Sequence, residues 1–428
     1  MKYDLAMIGL GNMGISVLGA FLHRGKTCMG IDIDVSKLNA LQSGKMIVRE
    51  SGAAEIFEKA RNEKRLDYAT GIDQIKNAKV VFISVQTPAK GNECDYSALS
   101  GVLRQIALQA APDQAVIIGS TIFPGGLADE LLNELRDRPD IRLIYEPVFL
   151  RAGYGIEDYL RPGKLVLGID DPDNPPPEIA ELLSQVVEAE PKWVSLQEAE
   201  WIKMVHNAWM CGKISFANEM GALCDEYKVD TNRIFDICFS ENAQGRLMTL
   251  SHMKPGAPYS GPCLPKDATI LGGILEKQGR PWMQSGSVLE ALRVSNENYI
   301  DAIVEQWLAT GRETGKPLGL VGLTFRPGFD EMRGSLALPF IRRALAEGLE
   351  VRGYDPFFDG IGIEEFMLVC RNDKELESYH AHCSHSLESV WNECGVVLLN
   401  RNLDINERRR LDDFSDCPRK IDLYGNKF

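Results

Sequence analysis

The stretch "SGPCLPKD", Ser260 to Asp267, places a thiol, a lysine and an aspartate in eight residues. Prolines on both sides of Cys263 fix the local backbone. Four readings are open for a cysteine so placed: a small buried hydrophobe, half of a disulfide, a metal ligand or a nucleophile. Upstream, Lys203 and Asn207 stand four residues apart in a helical stretch, which puts both on one face. A lysine near other cations serves as a base, or stabilises an alkoxide while water takes the proton. An asparagine donates to a developing oxyanion without adding charge. Near the N-terminus, Gly9, Gly11 and Gly14 form GxGxxG between a strand and a helix. The first glycine allows a tight turn, the second lets backbone approach a pyrophosphate, and the third lets helix pack on strand. Asp32 ends the next strand 18 residues after Gly14. A carboxylate there accepts from ribose hydroxyls and repels a 2′-phosphate, which favours NAD over NADP.

These groups need elements to carry them. "YDLAMIGLGNMG", "ISVLGAFLHRG" and "KTCMGIDID" read as strand, helix and strand, one βαβ unit. Further strands are expected at "KVVFISVQTP", "AVIIGSTIFPG", "IRLIYEPVF" and "KLVLGID", with helical stretches between them. That alternation predicts a parallel, doubly wound sheet. From about Glu198 a stretch with no Gly-Pro break and a helical apolar period predicts one helix of about 30 residues. Then "KPLGLVGLTF", "EGLEVRGYDP", "ECGVVLLNRN" and "RKIDLYGN" open a second strand-helix-strand series. The fold class expected is α/β, with two Rossmann-like doubly wound domains joined by a long-helix central domain. The boundaries fall at 1–196, 197–309 and 310–428.

Bulk composition narrows the function. The 428 residues are 44% hydrophobic and 25% charged, ordinary for a globular protein. No apolar run reaches the roughly 18 residues of a membrane span. A net charge of −14 argues against a general nucleic-acid or anionic-membrane binder. The ten cysteines contain no CxxC pair, and the N-terminus runs straight into a strand rather than a signal peptide. A reducing, cytoplasmic setting with thiols and no metal is the expectation. The disulfide and metal readings of Cys263 lose most of their weight.

Several motifs now stand in a fixed order along nearly the whole chain: "GLGNMG", "SVQTP", "GSTIFPG", "EPVFLRAG", "EWIKMVHNAW", "KISFANE", "MKPGAPYSGPCLPKD", "GLTFRPGFDEMRGS" and "YDP". Together they resemble the UDP-glucose/GDP-mannose 6-dehydrogenase family, with the wording closest to its GDP-mannose branch. The resemblance implies an NAD-dependent enzyme of polysaccharide biosynthesis. Such an enzyme oxidises the primary alcohol of a nucleotide sugar to a uronate with two NAD, and dimerises through the central long helix. It implies Cys263 as catalytic thiol, which holds the aldehyde through the second oxidation. Lys203 and Asn207 match the catalytic lysine and asparagine, and Asp267 and Thr121 the groups that assist water and alcohol activation. The cofactor set becomes Gly9, Gly11, Asn12, Met13, Gly14, Asp32, Lys37, Thr87, Thr121, Lys266 and Arg333. The substrate set becomes Phe149, Leu150, Lys203, Asn207, Asn218, Lys254, Tyr259, Gly261 and Arg326, with Arg326 where the family usually has lysine. His206 has no role in the family pattern and reads as helix packing.

The chain also departs from the pattern. The family has "NPEF" where this sequence has "EPVF", so its hydrolytic glutamate is Val148, and a second family acid aligns with Ala152. In an extended segment Glu146 points to the same face as residue 148, about 6–7 Å along the strand. "YSGPC" replaces the family's "FGGSC", and Lys254, His252 and Leu247 replace branch residues that contact the nucleotide sugar. The glycine loop is closer to the β-hydroxyacid and 6-phosphogluconate dehydrogenases, which share the Lys-x-x-x-Asn helix. Three alternatives therefore stand beside the nucleotide-sugar reading. One is a diverged dehydrogenase that stops at the aldehyde or takes another phosphorylated alcohol. The others are a β-hydroxyacid dehydrogenase and a non-catalytic paralogue.

Overall fold

A computed structural model describes residues 2–239, 255–278, 286–325, 332–358, 362–363, 366–367, 374–383, 385–401, 407, 410 and 419–423. The chain forms two compact units, 1–206 and 207–428. The boundary falls inside a helix of 31 residues, Leu196–Glu226, the long helix that the sequence predicts.

The first unit is built on eight strands: β1 (Tyr3–Ile8), β2 (Cys28–Ile31), β3 (Leu66–Ala69), β4 (Ala78–Ile83), β7 (Ala115–Ile118), β8 (Arg142–Tyr145), β9 (Leu165–Ile169) and β10 (Pro191–Ser195). A two-stranded antiparallel hairpin, β5 (Ala89–Lys90) and β6 (Glu93–Cys94), lies in the β4–β7 connection. The sheet order is β10-β9-β8-β7-β4-β1-β2-β3. Chain order reverses across β1 and β4, which places a crevice at the carboxyl ends of those strands. β1, β2, β4 and β7 read as near-continuous apolar runs because helices cover both faces. The two-residue period sends Leu5 and Met7 into one core and Ala6 and Ile8 into the other. The expected all-parallel sheet is corrected at one place. β8 and β9 meet antiparallel through the single pair Tyr145 and Gly168, so β9 and β10 run against the rest. The connection between them carries one short helix, Gly155–Leu160, and returns to the end of the sheet from which it left.

Among its described residues the second unit holds four parallel strands in the order β12-β11-β13-β14: β11 (Leu318–Val321), β12 (Val351–Tyr354), β13 (Val396–Leu399) and β14 (Arg419–Asp422). The helix Val288–Thr314 leads into β11. Ser287 caps its start by accepting from the Glu290 amide at 3.1 Å, and Gly315 ends it in the left-handed conformation at φ 63°. Trp307 near its end is fully buried, donates from Nε1 to the Gly319 carbonyl at 3.1 Å and meets Phe340 edge-on. Against these elements run the second half of the long helix and the helix Leu264–Gln278, which begins one residue after Cys263.

Candidate active site

The glycine loop of the first unit has the shape that a dinucleotide needs. Gly9 sits at φ +91°, and a Cβ there would lie 2.2 Å from the Ser84 carbonyl oxygen. A Cβ on Gly14 would lie 1.9 Å from the Gly9 oxygen, so only glycine lets the helix Asn12–His23 approach β1 this closely. Gly11 is different, because no atom lies within 4 Å of the Cβ position. Backbone is open to a ligand there, at the start of a helix whose first amides favour phosphate. Asn12 and Met13 form the first turn and are half-buried. Asp32 is 8% exposed. Its Oδ2 accepts from the Leu10 amide at 2.8 Å and its Oδ1 from the Asp34 amide at 2.9 Å, while Lys37 Nζ stands 3.3 Å away. The carboxylate is thus fixed beside the glycine loop. Open backbone at Gly11, a bare helix start and an anchored acid together fit NAD.

Thr87 and Thr121 follow β4 and β7, the next strands across the crevice. Thr87 is buried and Thr121 half-buried. Ser120 ties the two loops together, accepting from the Val85 amide at 2.9 Å and donating to its carbonyl at 2.8 Å.

After β8 the chain enters "EPVFL". Val148 is buried in the core beneath Gly119. Glu146 is 2% exposed, and its carboxylate accepts from the Tyr159 hydroxyl at 3.2 Å. Both line one small crevice with Tyr159, Phe149, Leu150 and Lys164. Burial pushes the Glu146 carboxyl up to about 8, with the Tyr159 hydrogen bond opposing. The carboxyl is therefore mostly protonated at neutral pH, and it is closed off from solvent.

Three basic side chains meet at Phe149. Lys203 Nζ lies 4.9 Å from the ring centroid and donates to the Val148 carbonyl. Lys164 Nζ lies 4.2 Å from the same ring. His206 meets the ring edge-on at 5.0 Å, and its Nδ1 is 3.2 Å from Lys164 Nζ. The packing expected of His206 is present, and the Lys164 contact adds to it. Lys164 follows a Pro-Gly pair just before β9, and no motif around it marks it in the sequence.

In the second unit the long helix carries Asn207, which donates to Asp267 Oδ2 at 2.6 Å. Lys266 Nζ contacts Asp267 Oδ1 at 2.8 Å. Asp267 and Asn207 are 2% and 7% exposed, so both carboxylate oxygens are satisfied by groups from the two helices. The Asp267 amide donates to the Cys263 carbonyl at 2.9 Å, closing the first turn. Cys263 is exposed, one residue before that helix, where the helix dipole favours negative charge on sulfur. Gly261 is at φ +85°, donates to the Gly334 carbonyl at 2.8 Å, and has Phe325 where a Cβ would go, 2.3 Å away. The thiol loop thereby rests on the loop that carries Arg333, itself half-buried.

Two residues expected on the substrate side hold backbone. Asn218 is buried, accepts from the Gly256 amide at 2.8 Å and donates to the Ala257 carbonyl at 3.4 Å. Tyr259 is buried, and its amide and carbonyl pair with the Asn296 side chain at 2.9 and 3.0 Å. Asn296, which no motif marks, locks the segment leading to Cys263. Lys254 and Arg326, with His252 and Leu247, lie outside the described residues. None of the described cysteines is in a disulfide, and no group of three His, Cys, Asp or Glu among the described residues is placed to hold a metal. No helix among them is long and apolar enough to cross a membrane.

Comparison with known proteins gives the context. Residues 3–187 match the NAD binding domain of the UDP-glucose/GDP-mannose dehydrogenase family, residues 197–298 its central domain and residues 319–412 its UDP binding domain. A UDP-glucose 6-dehydrogenase of Rhizobium meliloti is 30% identical over 370 residues, which cover 82% of this chain and 81% of that protein. A GDP-mannose 6-dehydrogenase of Pseudomonas syringae pv. syringae is 27% identical, with 98% and 96% covered. Among solved structures, a UDP-glucose dehydrogenase from the hyperthermophilic archaeon Pyrobaculum islandicum shares the fold at a TM-score of 0.82 and 22% identity, with 99% of this chain and 95% of that one covered. With all three domains matched in order around a glycine loop that fits NAD, the chain belongs to the UDP-glucose/GDP-mannose dehydrogenase family and is an NAD-dependent nucleotide-sugar dehydrogenase.

Proposed function

We propose that the chain oxidises the primary alcohol of a nucleotide sugar to the uronate, a four-electron change that passes through a thioester on Cys263. The observation that carries this reading is the exposed thiol at a helix start, one turn before an aspartate bonded to both Asn207 and Lys266. In this reading Gly9, Gly11, Asn12, Met13, Gly14 and Asp32 hold NAD, with Lys37, Thr87, Thr121, Lys266 and Arg333 in support. NAD, when bound, would supply the hydride acceptor for both oxidations, alcohol to aldehyde and Cys263 thiohemiacetal to thioester, and the thiohemiacetal hydroxyl gives its proton to water as its hydride leaves.

Lys203 takes the alcohol proton, directly or through water, or offsets the alkoxide charge. Asn207, fixed by Asp267, donates to the developing oxyanion and adds no charge. The Cys263 sulfur adds to the aldehyde carbon, and the carbonyl oxygen takes up a proton to complete the thiohemiacetal. Water then cleaves the thioester. One water proton passes to Asp267, with Thr121 orienting the water; the water oxygen joins the new carboxyl group, whose own proton goes to solvent, and the sulfur leaves as thiolate. Phe149, Leu150, Asn218, Lys254, Tyr259, Gly261 and Arg326 form or support the substrate side.

A second reading is favoured by one observation. Val148 is buried where the family carries its hydrolytic glutamate, and the nearby Glu146 holds its proton at neutral pH. A chain so built releases the thioester slowly, or stops at the aldehyde. We also propose a homodimer. Trp201, Val205, Trp209, Phe216 and Leu223 are exposed at helical spacing along the long helix, an apolar stripe that a second copy would cover.

The test is a panel of nucleotide sugars and other phosphorylated alcohols, with NADH counted and products identified by mass. Cys263→Ser is expected to abolish net acid formation and to leave NAD binding intact. Normal acid output from that variant rules out the thioester route.

A further inference from the structure

Two ammonium groups share one aromatic ring in the first unit. Lys203 Nζ is 4.9 Å and Lys164 Nζ 4.2 Å from the Phe149 centroid, so the nitrogens lie within about 9 Å of each other, the sum of those distances. Like charges this close make each ammonium harder to keep. Lys164 is also held in place. His206 Nδ1, 3.2 Å from its Nζ, accepts from it, and the ring of His206 stands edge-on to Phe149. Lys203 and His206 are three residues apart on the long helix, so they project from the same face and meet Phe149 together.

We propose that Lys164 is a positioning residue for the reaction, held by His206 against Phe149 so that its charge favours the neutral amine of Lys203 over the ammonium. This rests on the reading of Lys203 as the group that takes the alcohol proton. Among the described groups, Glu146, Asp158 and Tyr159 line one crevice with Lys164 and Phe149. Glu146 after β8 is protonated at neutral pH, and Tyr159 is held well above its ordinary value by burial. Asp158 is committed to Arg151, and Glu200 on the long helix accepts from the Gly125 and Leu127 amides. No carboxylate in this set pairs with Lys164, whose own value is lowered, first by burial and then by the Lys203 charge.

The test needs no knowledge of the substrate. The full-length protein is labelled with trace acetic anhydride across a pH series, and acetylation of Lys203 is counted by peptide mass. Removing the neighbouring charge in Lys164→Met is expected to raise the labelling midpoint of Lys203 by roughly 0.3 to 1.4 pH units, the range for two charges at about 9 Å between watery and protein-like screening. Lys164→Arg keeps the charge and is expected to leave the midpoint in place. Lys164→Gln repeats the measurement with a polar side chain, and NAD titration verifies that each variant is folded. A Lys203 midpoint unmoved in both neutral variants overturns the proposal. Lys203→Met is assayed separately for NADH formation. If that variant turns over normally, the reading of Lys203 fails. If it is inactive while the midpoint is unmoved, only the role of Lys164 fails.

Discussion

Glu146 offers a quantitative prediction, because a buried acid with a raised pKa is a statement about stability. Its carboxyl rises from an ordinary 4.5 to about 8 in the folded chain, chiefly through burial. Between those values the unfolded chain has released the proton and the folded chain still holds it. Stability from this group is fully present below about pH 4.5. It falls by about 1.4 kcal/mol for each pH unit as pH rises, and levels off above about pH 8. The whole window amounts to about 5 kcal/mol. Glu146→Gln keeps an acceptor for the Tyr159 hydroxyl and removes the titration. Urea unfolding of both proteins from pH 5 to pH 9 is the assay, followed by tryptophan fluorescence. The Gln variant is expected to gain on the parent steadily with pH, with the gap reaching several kcal/mol by pH 8. Two curves that stay parallel would refute the reasoning, since a carboxyl that ionises normally in the folded state produces no such divergence.

Other consequences follow from the cofactor loop and the exposed faces. Asp32→Ser removes the carboxylate anchored by the Leu10 and Asp34 amides, and Lys37 beside it then faces the ribose end without an acid. NAD affinity is expected to drop about tenfold or more and discrimination against NADP to shrink, read by fluorescence titration with both cofactors. Trp209→Glu puts a charge in the apolar stripe of the long helix, where Trp209 is 60% exposed. Sedimentation is expected to show a dimer in the parent chain and a monomer in the variant, and a dimer that survives would place the interface elsewhere. UDP-glucose and GDP-mannose are expected to be turned over weakly, because Lys254, His252 and Leu247 depart from the residues that contact the nucleotide sugar in the GDP-mannose branch. Rates of an ordinary enzyme with either would show that those substitutions matter little.

The sequence made the strands that bury both faces easy to place. "AMI", "VVFI", "AVII" and "VLGI" are apolar without interruption because helices cover them on two sides. β3 and β10 were not legible for the opposite reason. Leu66–Ala69 contains Asp67 and buries chiefly Leu66, and Pro191–Ser195 opens on a proline at the sheet edge. The glycine loop and Asp32 were readable because backbone sterics demand those residue types at that spacing. Other parts of the site were not. The pairing of Glu146 with Tyr159 joins residues thirteen apart through a reversal of strand direction that no local pattern announces. Lys164 and Asn296 act through tertiary contacts, with Phe149 and His206 and with the Tyr259 backbone, and neither has a neighbour in sequence that marks it.

The measurement that bears most directly on the whole account is the number of NADH formed per molecule of substrate, for whichever nucleotide sugar of the panel is turned over. Two NADH and a uronate, with both the second NADH and the acid lost in Cys263→Ser, is the outcome expected of a thiol that carries the aldehyde through to a thioester. One NADH and a released aldehyde, or two NADH and normal acid output from Cys263→Ser, would contradict it.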